Sequence, residues 1–319
     1  GLRSLAKAER PGLRALFEAS GCDPAHVTAD TIGYVLGPRL NAAGRLAHAR
    51  HSLDLLLERD ELKARALALQ LCDLNSQRQK ATSAAMELAK GLVAEQPSGQ
   101  PLIFIGHEAI PSGIVGLVAG RLMEEHHRPV AVYERGAQTS RASCRSIPEF
   151  DITGALRNVA SLMVRFGGHR AAAGFTVENA NLGPLRESLV SQAAEALAGV
   201  DLTPVIDVDA AIPLSRVNGD LVRSLSAMAP FGIGNPEPVF LSRGLEVRDV
   251  RVMGEDGKHL RLQLRDGRVT WPAVAFGFGE HELAEGHMLD VVYTFSADRG
   301  GEGALELRVA DFAPSADTD

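Results

Sequence analysis

Cysteine is scarce. Cys22, Cys72 and Cys144 are the whole complement of 319 residues, widely spaced, odd in number and without a CxxC pair. That excludes a disulfide framework and a cysteine zinc site and suits a reducing compartment, so the expected location is cytoplasmic. No apolar run approaches the ~18 residues of a spanning helix, and no membrane association is expected. The opening GLRSLAKAERPGLRALF has neither an initiator Met nor the apolar core of a signal peptide, and reads as starting inside a longer protein. The ten histidines are scattered, whereas metal-dependent phosphoester hydrolysis needs carboxylates and histidines clustered to hold ions about 3.5–4 Å apart. No catalytic cluster and no metal site are therefore expected in the chain. IDVD (206–209) contains a DxD but reads as one face of an alternating strand, and EEHH (124–127) as a solvated helix end. P-loop, nucleophile-elbow and HExxH motifs are absent, as are internal repeats.

What is present is an ordinary globular composition, 45% hydrophobic and 23% charged, over a length that suits two or three domains. The net charge of −7 is unevenly spread: +2 over residues 1–96, zero over 97–200 and −9 over 201–319. Within the neutral middle, residues 141–170 hold Arg141, Arg145, Arg157, Arg165 and Arg170 against Glu149 and Asp151. Such a local excess beside glycine-rich turns is a candidate anion site in an acidic protein.

Periodicity divides the chain into four stretches. Residues 1–59 read as short helices around a turn-rich GPRLNAAGR (37–45). In 60–96, Asp60 is a plausible N-cap and no proline follows. Leu67, Leu71, Leu74, Arg78, Ala81, Ala85, Leu88 and Leu92 then fall on one helical stripe, about 50 Å long at ~1.5 Å per residue. Its middle, NSQRQK (75–80), is polar all round, as in helices that bridge domains; a two-helix hairpin broken near Asn75 is the alternative. Residues 97–200 alternate strand and helix: PLIFIG, a helix at 114–126, RPVAVYE, TSRASCRS, DITGALRNVASLM, AAAGFTV and NLGPLRESLVSQAAEALAG. That alternation predicts an α/β domain, a mixed sheet with flanking helices. Residues 201–319 carry a helix near 214–228, then five strand-like runs with turn signals such as EDGK and RDGR, which predicts a small β-barrel or sandwich.

Three constellations could carry chemistry. In GPRLNAAGR, the glycines and Pro38 would present Arg39, Asn41 and Arg45 from a tight loop, and two guanidiniums with an amide suit an oxyanion; a structural loop with locally paired arginines is equally compatible. In SCRS, strand alternation puts Ser143 and Arg145 on one face, with Ser146 following; a solvated edge strand is the bland reading. In RFGGHRAAAGF (165–175), Gly167 and Gly168 let a ligand approach the backbone and His169 adds a donor, unless the glycines serve a close crossing of strand and helix. Trp271, Phe276, Phe278, Tyr293 and Phe295 of the tail are either base-stacking platforms or barrel core. The strip from Arg243 to Arg268, with seven basic and five acidic residues, is the only basic stretch there.

GPRLNAAGR, a long polar-waisted helix, SxRS and GGHxxAAG in this order resemble the C-terminal part of the RecJ exonucleases, of the DHH phosphoesterase superfamily. PFGIGNPEPVF with a β-rich tail resembles their oligonucleotide-binding (OB) fold. The family commonly has a Trp-His pair where this chain has Ile110 and Pro111, and Gly where it has Cys144. The resemblance implies that residues 1–59 are the end of a DHH catalytic domain, 60–96 the connecting helix, 97–200 the DHH-associated domain and 201–319 the OB-like barrel. It further implies that Arg39, Ser143, Arg145 and the Gly167–Gly168–His169 turn face the 5′ end and phosphates of single-stranded DNA, with Asn41, Arg45 and Ser146 in the same motifs. The intact enzyme would use Mn²⁺ or Mg²⁺ held outside this chain, act 5′→3′ in DNA repair or recombination, and meet other repair or replication proteins. This chain alone would bind and not cleave. Two further readings stand beside it: a phosphodiesterase of the same superfamily for short oligonucleotides or cyclic dinucleotides, and a non-catalytic nucleic-acid-binding scaffold.

Overall fold

A computed structural model of the chain describes residues 1–254, 257–297 and 305–315; the EDGK turn lies partly outside these. The chain forms two compact units, 1–204 and 205–319.

The first unit begins with helices α1 (Leu2–Leu5), α2 (Pro11–Ser20), α3 (Gly37–Leu46) and α4 (Arg50–Leu57), followed by the long α5 (Glu61–Ala94). The Asp60 side chain accepts from Lys63 N at 2.9 Å, capping α5 as expected, and 34 residues follow without a break, which rules out a hairpin. The buried stripe of α5 is Ala64, Ala68, Leu71, Asn75, Thr82, Ala85, Met86 and Ala89. It lies beside the predicted stripe and includes two polar residues. Small residues dominate because neighbouring helices press closely, so size, more than hydrophobicity, selects the buried face. One end of α5 packs with α2 and α3, the other with β1 (Ile103–His107) and α6 (Val115–His126).

GPRLNAAGR is not the predicted loop. It is helix α3, entered from a wide π-helical stretch, Thr31–Leu36. Pro38 sits in the first turn, where a missing N–H costs little, and Ala42 and Ala43 are fully buried.

Beyond β1 and α6 come β2 (Val130–Arg135), β3 (Thr139–Arg145), α7 (Ile152–Asn158), β4 (Met163–His169), β5 (Ala172–Glu178) and α8 (Leu182–Ala196). The sheet order is β1-β2-β3-β5-β4, with β1 and β2 parallel and the others antiparallel. Asp151 caps α7 through Gly154 N at 2.9 Å, but the helix ends at Asn158, and residues 159–162 separate it from β4, which begins with Met163. On one sheet face Ala142, Cys144, Ala173, Phe175 and Val177 meet α7 and α8. On the other, α5 and α6 cover the apolar residues of β1 and β2. The β3–β5–β4 part of that second face carries polar and small residues instead.

The second unit contains β6 (Ala210–Ala211), α9 (Gly219–Met228), β7 (Phe240–Met253), β8 (His259–Asp266), β9 (Val269–Phe276), β10 (Met288–Ala297) and β11 (Leu305–Pro314). Strands β7-β8-β9-β11-β10 close on one another through β10–β7, making the predicted barrel, and Leu245, Val247, Leu262, Leu264, Ala273, Val291, Tyr293 and Leu307 fill it. IDVD is not a strand; it runs as irregular backbone into β6, and Asp209 accepts from Val239 N at 2.8 Å.

Candidate nucleic-acid interface

Register determines what the exposed sheet face displays. Arg141 of β3 and Arg165 of β4 both pair with Thr176 of β5; Ser143 and Gly167 both pair with Gly174; Arg145 and His169 both pair with Ala172. Directly paired residues share a face. The result is a trough with basic and polar walls from β3 and β4 and a floor of Ala172, Gly174 and Thr176.

A cavity of about 510 Å³ opens over this trough. Arg45, Arg141, Arg145 and Arg165 line it, and no carboxylate does. Arg145 donates through Nη1 to Ser143 Oγ at 3.0 Å and to the Cys144 carbonyl at 2.8 Å, which fixes the guanidinium and leaves the Ser143 proton free for a ligand. Arg165 Nε donates to Thr176 Oγ1 at 3.2 Å. The first turn of α6 closes one side. There a Cβ on Gly116 would come 3.1 Å from Ser143 Oγ and 3.2 Å from Arg145 Nη2, so a bulkier residue would crowd both groups. Gly113 admits α3 to the rim: a Cβ on it would lie 1.9 Å from the Arg45 carbonyl oxygen, and Arg45 Nη1 donates to Gly113 O at 3.2 Å.

The two glycines of the RFGGHR motif separate here. The segment is an edge strand and not the predicted turn. Gly167 faces the cavity with open space around it. Gly168 does not line the cavity: a Cβ there would collide with Ala172 O at 2.3 Å and Ala173 Cα at 2.4 Å, so it permits close strand packing. His169 is exposed at the hairpin end, on the Arg145 row but outside the cavity lining, and its carbonyl accepts from Thr153 Oγ1 at 2.7 Å.

Of the other predicted residues, Arg45, Ser143 and Arg145 meet in the cavity, whereas Arg39, Asn41 and Ser146 do not line it. Arg39 turns back to donate to Val35 O at 2.7 Å, and Asn41 is exposed on α3. Ser146 is buried, its hydroxyl donating to Phe150 O at 2.7 Å, because the chain leaves the strand at Arg145 and folds inward. Cys144 points to the opposite, core face, where burial pushes its thiol up to about 12. Ile110 is likewise fully buried.

Comparison with known proteins extends this geometry. Residues 99–199 match the DHHA1 domain and residues 208–311 match the RecJ OB domain. Two relatives named single-stranded-DNA-specific exonuclease RecJ are similar over most of the chain. That of Bacillus subtilis is 32% identical over 290 residues, 90% of this chain and 36% of the relative. That of Thermus thermophilus is 33% identical over 269 residues, 84% of this chain and 38% of the relative. The crystal structure of Thermus thermophilus RecJ in complex with Mn²⁺ matches with a TM-score of 0.82 at 30% identity, covering 99% of this chain and 46% of that one.

The chain carries a DHHA1 domain and a RecJ OB domain.

It spans less than half the length of these RecJ relatives. Structures of Thermus thermophilus RecJ are solved with Mn²⁺ and with Mg²⁺. The described residues of this chain do not fit such an ion: no three of their His, Cys, Asp or Glu side chains are grouped to hold one. No helix among them is long and apolar enough to cross a membrane.

In the OB domain the aromatics divide unequally. Tyr293 is fully buried, and Trp271, Phe278 and Phe295 pack against the core. Phe276 alone of the five is exposed, at 53%, with His259 edge-on at 5.3 Å and the Arg308 guanidinium over its ring at 5.8 Å. The basic strip is largely neutralised: Arg243 pairs with Asp290, Arg248 and Arg265 with Glu246, and Arg251 with Asp249. Glu255 and Asp256 of that strip lie outside the described residues.

Proposed function

We propose that this chain is the substrate-holding part of a RecJ-type 5′→3′ exonuclease specific for single-stranded DNA and acting in DNA repair or recombination. The trough over β3–β5–β4 takes the terminal 5′ phosphate. The observation that carries this is a cavity lined by four arginines and no carboxylate, with glycine on its floor. Arg141, Arg145 and Arg165 approach a phosphate from opposite walls, each able to give paired N–H donors to two of its oxygens. Ser143 contributes its hydroxyl proton, and Gly167 and Gly174 let the strand end settle against the backbone. The cavity holds no carboxylate to activate water, so it positions an end whose cleavage takes place elsewhere in the longer protein. The divalent metal of the intact enzyme, Mn²⁺ or Mg²⁺, would be held outside this chain. The OB domain would add its own contacts to single-stranded DNA, which a cyclic-dinucleotide phosphodiesterase does not require. Contacts to repair or replication proteins and action in the cytoplasm belong to the same reading.

The test compares 5′-phosphorylated with 5′-hydroxyl single strands by fluorescence anisotropy, for wild type and Arg145→Ala. Charge-assisted bonds contribute roughly 1.5–3 kcal/mol each. Arg145→Ala should therefore weaken the phosphorylated strand about ten- to a hundredfold and the hydroxyl strand much less. Equal affinities of wild type for the two strands would overturn the end-phosphate reading.

A further inference from the structure

Helix α5 buries polar atoms that the fold itself leaves without partners. Asn75 is only 6% exposed, and among the described residues its side-chain oxygen accepts no hydrogen bond. One turn along, on the same side of the helix, the Nε of Arg78 is buried and donates to nothing. Helix α3 packs on α5, and there the Nε of Arg39 is also buried without an acceptor. Native folds seldom leave such atoms unpaired unless something absent completes them.

Charge says what that is. Arg78 lies within electrostatic reach of Arg45 on α3 and Arg121 on α6; burial first, then those two like charges, hold its guanidinium below its ordinary pKa. Cations gathered without an anion oppose one another and destabilise the empty protein. Arg45 also lines the cavity described above. Because it belongs to both groups, the two positions are neighbours, and a polymer with a phosphate on every residue supplies two anions so placed.

We propose that Arg78, with Arg45 and Arg121, forms a second anion position that takes the phosphate following the terminal one along a single strand. Asn75, one turn away, is placed to accept from the Arg78 guanidinium or from a water carried in with that phosphate. This rests on reading the cavity as the terminal-phosphate site. It adds a reason for preferring oligonucleotides over mononucleotides: each further phosphate seated is further affinity, and a mononucleotide offers only one.

The experiment is calorimetric titration of the whole chain with thymidine 5′-monophosphate and with the 5′-phosphorylated thymidine dinucleotide. Wild type should bind the dinucleotide at least tenfold more tightly. Arg78→Met keeps length and removes charge; it should erase most of that gain while retaining mononucleotide binding, whereas Arg145→Ala should weaken both ligands alike. Without ligand, Arg78→Met should melt no lower than wild type, because a repelled charge has gone. Arg121→Gln, at an exposed position on α6, removes a charge with little packing and should cut the gain about threefold. An unchanged gain in both variants, or equal loss for both ligands, would overturn the second position alone. A lower melting temperature with the gain intact would make Arg78 a packing residue. If wild type binds neither ligand, the cavity reading falls and takes this one with it.

Discussion

A Cβ on Gly168 would lie 2.3 Å from the Ala172 carbonyl oxygen, whereas one on Gly167 meets nothing within 4 Å. The two residues therefore give opposite predictions. Gly168→Ala forces β4 away from β5 and should cost at least about 2 kcal/mol, read as a melting temperature lower by several degrees. Gly167→Val places a strand-favouring side chain on an exposed edge strand, so stability should stay within about 0.5 kcal/mol of wild type. Its isopropyl group projects from the β4 wall into the trough, and affinity for 5′-phosphorylated single strands should fall tenfold or more. Thermal melts paired with anisotropy titrations separate the two effects. Normal binding by a well-folded Gly167→Val would remove the β4 wall from the site. Cys144 makes a further residue-scale prediction: buried, with its thiol pushed up to about 12, it should resist iodoacetamide at pH 8 in the native protein. Mass spectrometry should then find at most two alkylated cysteines until denaturant is added.

At the scale of elements, Phe276 at the end of β9 is the position where the barrel presents an aromatic face to solvent. Alanine substitution at base-stacking aromatics costs about 1–3 kcal/mol per base. Phe276→Ala should weaken binding of oligothymidine long enough to reach the barrel by roughly five- to a hundredfold and leave thymidine 5′-monophosphate unaffected. Equal binding with a lower melting temperature would show that the ring serves its contacts with His259 and Arg308. Elements of this kind differ in how far the sequence discloses them. Helix α5 is legible from end to end, because Asp60 caps it and no proline interrupts it, and strand alternation alone puts Ser143 and Arg145 together. The opposing wall is not legible. Arg165 meets Arg141 only through the register of β5 between them, fixed by pairing across intervening chain. Helix α3 was hidden for another reason. Local glycine and proline favour a turn, yet Ala42 and Ala43 are buried against neighbouring helices, and packing outweighs propensity. Arg78 falls on the predicted apolar stripe of α5, where its spacing looks like core; only the three-dimensional neighbourhood reveals Arg45 and Arg121 beside it.

Across the whole molecule the field opposes the proposed substrate. The net charge is −7, with −9 in residues 201–319. The barrel's Arg243, Arg248, Arg251 and Arg265 are engaged by its own carboxylates, so that domain has little free positive charge for a polyanion. Attraction must then come from the local concentration of arginines over β3–β5–β4, at short range and through direct contacts. This makes the salt dependence quantitative. Each phosphate contact with a single strand contributes about −0.7 to the slope of log affinity against log salt. Seating two phosphates, the terminal one in the trough and the next one at Arg78, predicts a slope of about −1.4, falling toward about −0.7 in Arg145→Gln, which weakens the terminal site. Anisotropy titrations of a 5′-phosphorylated oligothymidine over a range of NaCl concentrations give both slopes directly. A wild-type slope much steeper than this would require phosphate contacts from the barrel despite its ion pairs. A slope unchanged by Arg145→Gln would mean that Arg145 is held by Ser143 and the Cys144 carbonyl for the fold's own sake and never meets the strand.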